Sequence, residues 1–158
     1  VARTGAWTEG RPTGARFGTL VHAVLADVPF DAEDEVVRGL AQTQGRLLGA
    51  SAEEVEAAVE AVRGALGHPL LRRAAEATRC RRETPVHHRL EDGSVVEGVV
   101  DLAFEEADPF GEARWTVVDF KTDLGAGAPD EYVVQVELYA AAIEAATGTP
   151  ADGVLLAV

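Results

Sequence analysis

Hydrophobic positions change their period once along this chain. Leu20, Val21, Val24, Leu25 and Val28 recur at helical spacing after Phe17 and predict a first helix, which Pro29 ends. A second helix is expected from Glu33 to Leu48. Ser51 and Glu54 have the spacing of a capping box ahead of a third helix that runs through Ala65. His68-Pro69 opens a short fourth helix, expected to carry the arginines that follow. After Glu83 the texture becomes β-rich. TPVHHRL, SVVEGVVDLAF and RWTVVDFK predict three strands, separated by the turn chemistry of EDG and EEADPFGEA. Pro129, Asp130 and Glu131 mark the start of a helix that reaches about Ala146, where Gly148 and Pro150 stop it; GVLLAV is a buried last strand. The last strand has to return parallel to an earlier one through the crossover helix, so the sheet is mixed. The expected fold is α/β, an αβββαβ core with an N-terminal helical region. Residues 1–15 read as an extended leader, 16–158 as a single domain, and 33–80 as a helical insertion within it.

Composition narrows the setting. An apolar share of 47% and a charged share of 26% over 158 residues are those of a soluble globule with a real core. No apolar run approaches the roughly 18 residues of a membrane span, so no membrane partner is expected. Cys80 stands alone and forms neither an intrachain disulfide nor a thiolate cluster, which fits a reducing cytoplasm. Abundant Ala, Gly and Arg point to a GC-rich bacterial genome. The absence of any Met suggests a piece of something longer. The net charge of −13 argues against a free-standing nucleic-acid binder, though not against an enzyme that clamps metal ions with carboxylates. Arg72, Arg73, Arg79, Arg81 and Arg82 form a basic island, either a solvated helix face or a path for a polyanion.

Thirteen arginines stand against one lysine, and that lysine lies in VVDFKTD. Asp119 and Lys121, two apart on a strand, leave one face while Phe120 points to the other. Folding SVVEGVVDLAF against RWTVVDFK about Phe110 sets Asp101 opposite Asp119, with Cβ atoms about 5 Å apart; a bulge would move this by one residue. Opposed carboxylates in an apolar sheet destabilise it unless a cation lies between them, and a divalent metal with oxygen ligands meets that need. An Asp-x-Lys pair is otherwise a common surface ion pair. The flanking Val117, Val118 and Phe120 favour an interior strand, where charges are rarely idle.

Together GVVDL, VVDFKTD, Gly18-Thr19-Leu20-Val21-His22, Arg82-Glu83-Thr84-Pro85 and Gln135-x-x-x-Tyr139 resemble the RecB-type branch of the PD-(D/E)XK nucleases. Those domains sit at the C-termini of bacterial helicase–nucleases such as RecB and AddA. The resemblance implies a restriction-endonuclease-like fold and a Mg²⁺-dependent DNA nuclease, exodeoxyribonuclease-like, with Mn²⁺ able to replace Mg²⁺. It implies that His22, Asp101, Asp119 and the Phe120 carbonyl bind the metal. Lys121 would orient or deprotonate the attacking water, a place for a compact amine rather than a guanidinium. Glu83 orients a ligand or water, or is a plain strand carboxylate. Tyr132, Gln135 and Tyr139 share a helix face and read as core or as contacts to the site or a DNA strand. His87 and His88 read as strand surface, and His68 as a helix-entry residue. With one cysteine, the iron–sulfur cluster of some relatives is excluded. The implied partner is DNA, single-stranded and delivered by a helicase domain past Arg72, Arg73 and Arg79, in the bacterial cytoplasm at the nucleoid. Two other readings stay open: a catalytically silent scaffold or DNA-binding relative, and an acidic interaction domain whose Asp/Lys cluster is a buried ion network.

Overall fold

A computed structural model of the chain describes residues 1–5, 10–124 and 128–158. Part of the expected leader, residues 6–9, lies outside the described residues. The elements run β1 (Ala2–Arg3), α1 (Ala15–Asp27), α2 (Asp34–Leu48), α3 (Ala52–Leu66), α4 (Pro69–Glu76), β2 (Arg79–Arg89), β3 (Val95–Ala107), β4 (Ala113–Lys121), α5 (Asp130–Thr147) and β5 (Ala151–Ala157). The five strands form one sheet in the order β1-β5-β4-β3-β2. β2 pairs antiparallel with β3, and β3 with β4. β5 runs in the same direction as β4: the Trp115 amide donates to the Pro150 carbonyl, and the Val158 amide to that of Lys121. The sheet is therefore mixed, with α5 as the crossover. Among the described residues no helix is long and apolar enough to cross a membrane.

Local signals explain most boundaries. The Ser51 hydroxyl accepts from the Glu54 amide at 3.2 Å, while the Ser51 amide donates to Glu54 Oε2 at 2.8 Å, the reciprocal box that starts α3. His68 Nδ1 accepts from the Leu70 amide at 3.2 Å and caps α4. Gly49 and Gly148 close α2 and α5 in the left-handed conformation.

Three expectations are corrected. The segment before α1 is more than a leader, since Ala2–Arg3 adds a strand at the sheet edge. The arginine island is not one helix: Arg72 and Arg73 lie on α4, but Arg79, Arg81 and Arg82 lie on β2. That strand accordingly begins at Arg79 instead of after Glu83. The reason is tertiary. Arg79 sits directly across the ladder from Glu105, a buried carboxylate, and its guanidinium lies 5.4 Å over the Trp115 ring. These partners satisfy a charged residue where β-propensity alone does not call for a strand.

The chain divides into two compact units. One is built on Arg73–Asp119 and the chain leading to Leu156; in it α5 packs on β2 and β3. Its core includes Val100, Leu102, Phe104, Val117, Val118, Val136 and Ile143. The other is built on Ala2–Arg72, the short segment starting at Phe120, and Ala157–Val158. Here α1, α2 and α3 pack against one another through Leu20, Val24, Val37, Ala58 and Val62.

Candidate functional site

In the first unit the β3–β4 ladder pairs Leu102 with Val118 and Ala103 with Val117. One further step along that register sets Asp101 opposite Asp119, with no bulge in between. Both are buried, at 9% and 5% exposure. Val100, Leu102 and Val118 bury the strands around them and keep the position internal. Two carboxylates facing each other there are costly unless cationic charge or donors face them. Their hard oxygens fit Mg²⁺, which is commonly held by one or two carboxylates, with water and substrate oxygens completing the shell. Among the described residues no three His, Cys, Asp or Glu side chains gather closely enough to hold an ion. A two-carboxylate site completed by water does not require such a trio.

The row extends to β2. Arg82 pairs with Leu102 and Thr84 with Val100, so Glu83 falls opposite Asp101. Glu83 has φ 47°, the left-handed region, in the middle of a strand. For a residue other than glycine this costs on the order of 1–3 kcal/mol, and such strain tends to concentrate where a side chain has to be aimed. Nothing in the local sequence announces it.

On α5, Gln135 Nε2 donates to the Tyr139 hydroxyl at 3.1 Å. The Tyr139 ring lies on the backbone of Gly98 in β3: a Cβ there would sit 2.5 Å from its Cε1 and 2.7 Å from its Cζ. Gln135 and Tyr139 also line a small pocket of about 200 Å³ with Val96, Glu97 and Leu138. Tyr132 is half-buried in the first turn of the same helix.

In the second unit a pocket of about 340 Å³ is lined by Gly14, Ala15, Gly18 and His22 from the start of α1 and by Phe120, Lys121, Thr122 and Asp123. The structure thus brings His22 and Lys121 to one cavity. The imidazole meets the Phe120 ring edge-on, with centroids 6.2 Å apart. Gly18 permits the approach, since a Cβ on it would lie 3.2 Å from Thr122 Oγ1. Arg11, which no motif singles out, donates from Nη2 to the Thr122 carbonyl at 2.9 Å and to the Val158 carbonyl at 2.6 Å.

The basic island is largely committed. Arg73 Nε donates to both Glu106 oxygens at 3.1 Å, and Arg79 makes a two-pronged pair with Glu105 at 2.5 Å. These bonds to carboxylate raise both guanidinium pKa values above the ordinary range. Arg72 and Arg81 instead donate to the backbone carbonyls of Gly67 and Cys80, which leaves their charge uncompensated by those partners. His87 is exposed and lies 3.3 Å from Glu97; His88 is half-buried on the same strand.

A mixed sheet with a parallel crossover helix and opposed carboxylates on its central strands is the architecture of one nuclease class, and the family comparison agrees. Residues 2–158 match the PD-(D/E)XK nuclease superfamily, and the chain belongs to it. Two curated relatives share one description, the larger-complex component called the A subunit of an ATP-dependent helicase/nuclease. The protein of Clostridium novyi (strain NT) is 27% identical over 160 residues, covering 85% of this chain and 12% of the relative. That of Acetivibrio thermocellus is 31% identical over 157 residues, covering 86% and 12%. The chain therefore spans about an eighth of the length of these relatives.

Proposed function

We propose that this chain is a Mg²⁺-dependent DNA nuclease domain, with Mn²⁺ able to substitute, working inside a longer helicase–nuclease. The observation that carries the reading is the buried Asp101/Asp119 pair in a chain of the PD-(D/E)XK superfamily. Both carboxylates are proposed metal donors, with His22 and the Phe120 carbonyl as further donors. When bound, the ion supplies Lewis-acid activation and charge neutralisation at a phosphodiester. Lys121 directs the attacking water and takes up its proton at Nζ, while the phosphorus–oxygen bond to the leaving group breaks and that oxygen is protonated from solvent. Glu83, aimed by its backbone, orients the water. Tyr132, Gln135 and Tyr139 support the site from α5. Arg72 and Arg81 guide a single strand, whereas Arg73 and Arg79 act through the glutamates they hold. The strand is delivered by a helicase domain, which offsets the repulsion expected from a net charge of −13.

Thermal melts in millimolar Mn²⁺ and nuclease assays on single-stranded DNA test this. Saturation at a hundred times Kd adds about 2.7 kcal/mol, or roughly 5–10 °C in Tm for a domain of this size. Asp119→Ala removes both the shift and the cleavage. A wild type that neither shifts nor cleaves with Mg²⁺ or Mn²⁺ rules the reading out.

A further inference from the structure

We propose that Arg11 is a positioning residue for Lys121, which makes the segment before α1 part of the active machinery. The inference rests on the role given to Lys121 above. Arg11 is half-buried, and its guanidinium stacks 5.2 Å over Phe17, a residue of α1 with no exposed surface. One nitrogen, Nη2, donates to two carbonyls, those of Thr122 and Val158. Thr122 follows Lys121 directly. Val158 in turn donates its amide to the Lys121 carbonyl at 3.0 Å. The backbone of Lys121 is thus held from both sides by groups that converge on one guanidinium. Arg3 extends the tie, donating from Nη1 to the Leu124 carbonyl at 3.1 Å.

The same contacts shape the pocket. Phe17 belongs to the turn of α1 that offers Ala15 and Gly18 to the cavity wall, and Thr122 belongs to the opposite wall. Stacking on the one and hydrogen bonding to the other, Arg11 sets the separation between them. A planar guanidinium suits this place because it stacks and donates at once, and burial among carbonyls needs a cation that stays weakly hydrated. An ammonium would reach one carbonyl without the stack.

Because Lys121 is the only lysine, labelling the 158-residue chain with ¹³C-lysine yields a single side-chain signal that reports its surroundings without any activity. Arg11→Ala is expected to move that signal toward the position of free lysine and narrow it. Val37→Ala, a core truncation on α2, loosens the protein elsewhere and is expected to leave the signal in place. Should Arg11→Ala fail to fold, Arg11→Gln, which keeps one donor and loses the stack, is read the same way. In the cleavage assay Arg11→Ala lowers kcat ten- to a hundredfold with KM unchanged, as about an ångström of misplacement does, and Arg11→Lys restores part of it. A folded Arg11 variant with an unmoved lysine signal overturns the proposal, as does an equal movement in Val37→Ala. An inactive wild type counts against the nuclease reading alone, since the lysine signal still judges Arg11.

Discussion

Gly98→Ala is a substitution whose sign is set by one contact. In the middle of a strand, replacing glycine by alanine ordinarily stabilises by about 0.4–1 kcal/mol, because the unfolded chain loses freedom. Here the new methyl would sit 2.5 Å from Tyr139 Cε1, about an ångström inside ordinary contact. Tyr139 is 7% exposed, so its ring has little room to withdraw. Overpacking of this kind costs about 1–3 kcal/mol. Displacing the ring also breaks the Gln135–Tyr139 bond, a further 0.5–1.5 kcal/mol or so. The expected net loss is about 1–3 kcal/mol, read by urea denaturation followed by circular dichroism. A double-mutant cycle isolates the cause. Tyr139→Ala alone removes a large buried ring, at about 3–5 kcal/mol. With the ring gone, Gly98→Ala should be neutral or stabilising, so the double variant is more stable than the sum of the singles predicts by about 1–3 kcal/mol. Additivity within 0.5 kcal/mol, or a Gly98→Ala protein as stable as wild type, would refute the packing argument.

Three further outcomes are expected. If Lys121 acts in the transition state as proposed, Lys121→Ala lowers kcat steeply while metal-dependent melting persists, and Lys121→Arg restores little; near-wild-type turnover in the Arg variant removes the role. Burial lowers the His68 pKa below its usual 6.5, and its Nδ1 is the acceptor that caps α4. The folded state therefore favours neutral imidazole: stability is full above pH 6.5 and falls as pH drops from there through the lowered folded pKa. His68→Asn, which keeps an acceptor, should flatten that slope in melts between pH 7 and 5, and an unchanged slope speaks against the cap. Arg72→Ala and Arg81→Ala should each reduce the salt slope of single-strand binding by about 0.7, while Arg73→Ala and Arg79→Ala should lower Tm and leave that slope alone. A slope that drops instead with Arg73 or Arg79 would return those two to the strand path.

The chain itself determined the helices, the turns and the register of the central carboxylates. Capping residues, glycine and proline act within a few positions, which is why Ser51, His68 and Gly148 mark element ends that the structure keeps. The β3–β4 register was legible for the same reason. A short hairpin loop about Phe110 and the alternation of buried residues leave one pairing, and it sets Asp101 across from Asp119. Tertiary structure decided what depends on partners distant in sequence. β2 begins at Arg79 because Glu105 and Trp115 receive its charge and its face. Gly98 is glycine because a tyrosine on α5 occupies the place of its side chain. Arg11 reads as leader until its carbonyl partners appear, 111 and 147 residues away. The inverted backbone at Glu83 is likewise invisible locally, since only surrounding structure holds a non-glycine residue in that conformation. Sequence periodicity reports which face a residue presents; which atoms meet that face is decided by packing among elements that the chain brings together only when it folds.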